Sequence, residues 1–156
     1  MSRTDYFDDP NAPKAHRIVP AVTAFVMSDR GELLLERRSD NGRWGMPGGV
    51  LEVGEDLPGA VVREVWEETG IKVEVTGLVG TYSDPGHVIE FSDGEVRQEF
   101  SLCFRARPVG GELSASSESF EVRWVPREDL EVLDIAPTTR LRLAHGFRNE
   151  ASPYLG

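Results

Sequence analysis

The chain is short of the residues that staple, anchor or ligate on their own. Cys103 is the one cysteine in 156 residues, so no internal disulfide can form and a cysteine-based zinc site is excluded. Flanked by Leu102 and Phe104, it reads as a buried core thiol. The three histidines, His16, His87 and His145, are scattered and lack ligand spacing. No stretch approaches the roughly 18 apolar residues that span a bilayer, which excludes a membrane-integral chain. The opening Met1–Phe7 has no apolar signal core, so the expected location is cytoplasmic. Positive charge is scarce too: 17 basic against 27 acidic residues leave a net charge of -10. A binder of nucleic-acid backbone needs a basic face, so this balance argues against that class. It leaves room for a small phosphorylated ligand held through a cation.

What is present fits one ordinary globular domain. Apolar residues make up 39% and charged residues 28%, with a mean hydropathy of -0.33. A chain of this length buries about two-thirds of its unfolded surface. Residues 1–15 are polar, carry Pro10 and Pro13, and read as a flexible arm or one lying on a partner. Ile18–Met27 and Glu32–Glu36 read as two strands of a hairpin around Ser28-Asp29-Arg30-Gly31. Ser39–Gly54 is a glycine-rich loop. Asp56 caps a helix that runs to Thr69 and stops at Gly70. Strands follow at 71–82, 97–107 and 120–125, then a helical turn from Pro126 and a last helix from Pro137 whose arginines, Arg140, Arg142 and Arg148, form a solvated face. The domain spans 16–150, with a tail at 151–156, and is of mixed α/β class.

Six carboxylates crowd the span from Gly49 to Ile71: Glu52, Glu55, Asp56, Glu64, Glu67 and Glu68, with Arg63 the one cation among them. On a helix Glu64, Glu67 and Glu68 share a face, and like charges at that spacing oppose helix formation. A hard divalent cation offsets that repulsion; a plain solvated acidic face is the alternative. The tight Gly48-Gly49 pair brings a backbone carbonyl within reach as a further oxygen donor. Arg63 points away from Glu64 and is placed to fork onto Glu55 or Glu52, holding the loop against the helix.

Gly49, five residues, Glu55, seven residues, Arg63-Glu64-Val65, one residue, Glu67-Glu68, one residue, Gly70-Ile71 resembles the signature box of the Nudix hydrolases, with every specified position filled. Trp44-Gly45-Met46-Pro47-Gly48-Gly49, the Leu33–Arg38 strand and Val122–Val125 extend the resemblance. It implies an α/β/α sandwich with a mixed β-sheet between the box helix and a C-terminal helix. It implies Mg²⁺ or Mn²⁺ as cofactor, held by Glu64, Glu67, Glu68 and the Gly48 carbonyl. Arg63 joins the site mainly as a support with Glu55, Glu52 and Gly49. The general base is Glu67 or, in the later polar loop, Glu118. Trp66, at the free position of the box, is expected to pack against the sheet.

The implied reaction is hydrolysis of the diphosphate of a nucleoside diphosphate linked to a second moiety. Pro85 with Gly86, 14 residues after Ile71, resembles members that cleave ADP-ribose; a plain turn is the other reading. ADP-ribose or a similar nucleotide sugar is therefore the first choice. The alternatives are a nucleoside triphosphate pyrophosphohydrolase, an RNA 5′-end hydrolase and a non-catalytic ligand sensor. Arg37, Arg38, Arg43 and Arg97 are candidates for phosphate or ribose. Trp44, Tyr82 and Phe91 are candidates to stack on a base. Family members commonly pair, so a homodimer is expected, with the N-terminal arm free to swap between subunits.

Overall fold

A computed structural model of the chain describes residues 2–156. Fifteen elements follow one another: strands β1 (Arg3–Phe7), β2 (Arg17–Ile18), β3 (Ala21–Val26), β4 (Glu32–Arg38), β5 (Trp44–Gly45) and β6 (Gly48–Val50); helix α1 (Leu57–Thr69); strands β7 (Ile71–Tyr82), β8 (His87–Phe91), β9 (Val96–Gln98), β10 (Ser101–Gly111) and β11 (Ser119–Pro126); a 3-10 helix (Arg127–Val132); helix α2 (Pro137–Arg148); and strand β12 (Tyr154–Leu155). The strands form a central five-stranded mixed sheet, β12-β7-β10-β3-β6, a three-stranded sheet, β11-β4-β5, and a four-stranded sheet, β1-β8-β9-β2.

The expected hairpin of β3 and β4 is corrected by this topology. A single bridge, Met27 to Leu33, closes the turn; beyond it β3 pairs with β10 and β6, and β4 with β11 and β5. Burial gives the reason. Val22 and Ala24–Val26 of β3, and Leu33–Glu36 of β4, are buried without alternation, and a strand covered on both faces sits inside a sheet with a neighbour on each edge.

Alternate residues of the central sheet point to two cores. Val22, Ala24, Phe104 and Ala106 meet Ala60, Val61 and Val65 of α1, while Phe25, Cys103 and Tyr82 meet Leu143 of α2. Cys103 is buried as expected. Each fully buried Val or Leu contributes about 1.5–3 kcal/mol, which outweighs the repulsion along the acidic face of α1. Asp56 caps that helix, its carboxylate accepting from Gly59 N–H at 2.7 Å, and Gly70 ends it at φ 75°, a conformation that disfavours any side chain. Trp66 departs from expectation: it is 47% exposed, with the Lys72 ammonium of β7 over its ring.

Both chain ends are more ordered than their composition implies. The arm expected to be flexible holds β1, which pairs antiparallel with β8 from Arg3–Phe91 to Phe7–His87. Its polar side chains are anchored by partners some 80 residues away: Asp5 on His87 and Tyr6 on Glu90, both at 2.8 Å. The tail likewise adds β12 to the edge of β7. Among the described residues no helix is long and apolar enough to cross a membrane.

Candidate active site

A cleft of about 600 Å³ opens where β6, the N-terminal half of β3, α1 and the β11 loop meet. Its acidic wall is the α1 face expected from the sequence: Glu64, Glu67 and Glu68, with Gly48, Gly49 and Glu52 opposite. Gly48 lies so close to β3 that a side chain there would run into the Val22 carbonyl and the Thr23 backbone, so this position needs glycine for the approach; at Gly49 a side chain would meet only the movable Glu64 carboxylate. Gly48 N–H donates to Glu68 at 3.1 Å. Arg63 forks onto Glu55, with one contact at 3.0 Å and a shorter one between its Nε and Oε1. It also donates to Glu64 at 2.8 Å, to Glu67 at 3.2 Å and to the Val50 carbonyl at 3.2 Å. One guanidinium thus ties loop, β6 and helix together.

Glu36 was not anticipated. It follows the apolar Leu33–Leu35 run in β4, is buried, and accepts from the Ser119 hydroxyl at 2.7 Å. A carboxylate ending a fully buried strand was the available signal. Burial, the charge of Glu36 and the hydrogen bond between the two push Glu68 up to about 10, against the pull of the Gly48 N–H. Burial also raises Glu36, opposed by Ser119 and Arg38, and raises Glu64, opposed by Arg63. Two buried carboxylates at such range share a proton or take up a cation. Among the described residues no three acidic or imidazole groups stand converged on one point, because Arg63 draws Glu64 and Glu67 while Glu68 turns to Gly48 and Glu36. The donor set, carboxylate and carbonyl oxygen in a site with excess buried negative charge, fits a hard divalent cation.

Glu118 faces this wall from the β11 loop. Its carbonyl accepts from Ser39 N–H at 2.9 Å and from the Ser39 hydroxyl at 2.8 Å, which pins the loop beside β4. Its charge raises Glu36. Glu121, the next carboxylate along the chain, lies against Arg123 at 3.4 Å on β11, outside the cleft.

The substrate candidates divide. Arg38, Arg43, Trp44, Phe91 and Arg97 line the cleft; Arg37, Tyr82 and Pro85 do not. Arg38 is engaged by Asp40 at 2.7 and 2.9 Å, Arg43 lies 3.5 Å from Asp134, and the Arg123 guanidinium covers a Trp44 face at 4.4 Å. Tyr82 is a core residue: its hydroxyl meets His145 Nδ1 at 2.8 Å and its ring packs on Tyr154. Pro85 belongs to a plain turn, in which Asp84 accepts from Gly86 N–H at 2.8 Å.

The far end of the cleft holds residues that the sequence pattern missed. His87 is buried, with Nε2 2.8 Å from Asp5 and Nδ1 3.4 Å from Glu99. Arg142, expected on a solvated face, is 5% exposed and donates to Glu99 at 2.7 Å. Arg3 forks onto Asp5 at 2.7 and 2.9 Å. Hydrogen bonds from His87 and Arg3 outweigh the burial of Asp5 and hold its carboxyl well below the usual aspartate range. These groups come from β1, β8, the β9–β10 link and α2, so no local spacing could have revealed them.

Known proteins carry the same architecture. The family model for the NUDIX domain matches residues 17–145. A MutT-like protein of Streptomyces ambofaciens is 40% identical over 122 residues, covering 78% of this chain and 71% of that protein. An ADP-ribose pyrophosphatase of Methanocaldococcus jannaschii is 35% identical over 120 residues, covering 72% of this chain and 64% of the relative. The crystal structure of a MutT protein from Methanosarcina mazei superposes with a TM-score of 0.67 at 25% identity, over 89% of this chain and 99% of that one. The chain belongs to the Nudix family. It is a pyrophosphohydrolase of that family, whose members generally use divalent metal ions.

Proposed function

We propose that the chain hydrolyses the diphosphate of a nucleoside diphosphate linked to another moiety, ADP-ribose or a similar nucleotide sugar, with Mg²⁺ or Mn²⁺. The observation that carries this reading is the gathering of Glu64, Glu67 and Glu68 on one wall of the cleft, with buried Glu36 against Glu68 behind it. The choice of ADP-ribose rests on the Methanocaldococcus relative; Pro85, outside the cleft, lends it no support.

In this reading Glu64, Glu67, Glu68 and the Gly48 carbonyl hold the cation. Bound there, a divalent ion supplies polarised phosphoryl oxygens and a bound water of lowered pKa. Arg63 and Glu55 fix the loop against the helix, so that only the carboxylate side chains need turn toward the cation. Glu67, 57% exposed, or Glu118 across the cleft accepts the proton of the attacking water. Arg38 and Arg43 stand where they can meet phosphate or ribose oxygens.

The test is a screen of ADP-ribose, other nucleotide sugars, dinucleoside polyphosphates and nucleoside triphosphates with Mg²⁺, Mn²⁺ or EDTA. Metal-dependent release of two monophosphates from ADP-ribose is the expected result. Pyrophosphate release from a triphosphate, with nucleotide sugars inert, replaces this reading with a nucleotide-sanitising one.

A further inference from the structure

The buried carboxylate of Glu36 takes no step in the hydrolysis proposed above, yet it stands between two parts of the site. On one side it is hydrogen-bonded to Glu68 of the acidic wall. On the other it accepts from the Ser119 hydroxyl at 2.7 Å. Ser119 is itself buried, opens β11 and directly follows Glu118.

Strand register shows how this link is built. Glu121 of β11 lies opposite Arg37 of β4, and Ser119 lies opposite Arg38, with a shift between them. A regular ladder would place Ser119 on the face of Glu121 and Arg37, away from Glu36. The extra residue, Phe120, makes a bulge that turns Ser119 onto the face of Arg38 and Glu36, and bulges re-aim side chains in this way. The turn from Ser116 to Ser119 is held as one piece. Glu118 N–H donates to the Ser116 hydroxyl at 3.1 Å, and Ser119 N–H to the Ser116 carbonyl at 3.3 Å. Its seat on β4 is the Ser39 N–H, which donates to the Glu118 carbonyl at 2.9 Å.

Glu36 has little else to rely on. Arg38 stands 3.9 Å away and is forked onto Asp40. A cation drawn to the wall turns Glu68 toward the cleft and away from Glu36. A buried carboxylate that loses one partner depends more on the next, and a hydroxyl bond to a charged acceptor is of the stronger kind. We propose that Glu36 is a positioning residue which, through the Ser119 hydroxyl, couples cation binding at Glu68 to the seating of the Glu118 turn. The coupling rests on the cation site proposed above and not on the identity of the substrate, so it can be followed without turnover.

The experiment is a Mg²⁺ titration of the full chain, without nucleotide, followed by NMR. The Gly48 amide, bonded to Glu68, reports occupancy of the wall. The Ser39 amide, bonded to the Glu118 carbonyl, reports the seat of the turn through its hydrogen exchange. The expected result is a Mg²⁺-dependent shift of Gly48 together with Ser39 exchange slowed about three- to tenfold, the worth of one buried hydrogen bond. In Ser119→Ala the Gly48 shift should persist while the Ser39 response is lost. Coupling is reciprocal, so calorimetry should show Mg²⁺ binding this variant more weakly by the same factor. Glu36→Gln keeps an acceptor for Ser119 but removes the charge; it should exchange Ser39 like the Mg²⁺-free parent and lose the response. A merely structural strut predicts faster Ser39 exchange in Ser119→Ala by equal factors with and without Mg²⁺, and that outcome overturns the proposal. So does a parent in which Gly48 shifts and Ser39 exchange stays constant, with the cation site left standing. A Gly48 resonance indifferent to Mg²⁺ removes the cation site and the coupling together.

Discussion

At the α1 end of the cleft Glu64, Glu67 and Glu68 share one helix face, with buried Glu36 against Glu68, and Arg63 reaches two of the four. At the β1–β8 end Asp5 has Arg3 and His87, and Glu99 has His87 and Arg142. The same residue types are buried in both places, but one end is left with excess negative charge and the other is balanced. Balanced buried pairs hold a shape, because removing either partner strands the other. Excess like charge costs folding free energy and persists where something outside the chain neutralises it. The contrast separates the end suited to a cation from the end that holds its shape through its own ion pairs.

Breaking the balanced end should cost most. Arg142→Met leaves Glu99 buried beside His87 alone, and a loss of about 3–5 kcal/mol is expected in denaturant unfolding. Adding Glu99→Leu should restore a good part of it; an additive double variant would remove the pairing argument. At the acidic end the effects on stability and activity should part company. Glu68→Gln should cut metal-dependent turnover by at least about a hundredfold. Without metal it should melt no lower than the parent, because Glu68, raised to about 10, is already neutral beside Glu36 and an amide can donate the same hydrogen bond. Retained turnover at saturating Mg²⁺ would sink the ligand assignment.

A pH titration sharpens the same contrast. Asp5 titrates below its ordinary 3.8 in the folded chain, so its stabilisation is complete above that value and drains away as pH falls through the depressed one. Asp5→Asn should therefore cost on the order of 2 kcal/mol near neutral pH, the worth of a charged hydrogen bond. The difference from the parent should shrink in strong acid, as followed by urea midpoints. The smallest effect is expected away from both ends: Asp56→Ala, which removes the α1 cap, should cost about 1 kcal/mol and leave the metal response intact.

The two ends also differ in how far they could be read in advance. Every acidic group of the α1 wall except Glu36 lies within 21 residues of Gly48, and helix periodicity alone puts Glu64, Glu67 and Glu68 on one face. Asp5, His87, Glu99 and Arg142 are separated by up to 82 residues between neighbours in contact. Their meeting depends on β1 pairing with β8 and on where α2 crosses the sheet. Local patterning therefore placed Arg142 on a solvated face and left His87 without a role. Tyr82 was misread for the converse reason: an aromatic near a loop is equally a stacking group or a core residue until His145 and Tyr154 are brought beside it.

The sequence by itself determined the α1 cap and stop, the acidic helix face, the Arg63–Glu55 clamp and membership in an α/β class. Each of these depends on spacing within one turn or one loop, where covalent geometry limits the choices. Only the tertiary structure decided that β3 and β4 part into different sheets, that the polar first residues become a strand, and that Glu36 joins Glu68. It also decided that a balanced ionic cluster closes the far end of the cleft. Those outcomes depend on which strand edges and buried charges find partners across the chain, and no local interval encodes that pairing.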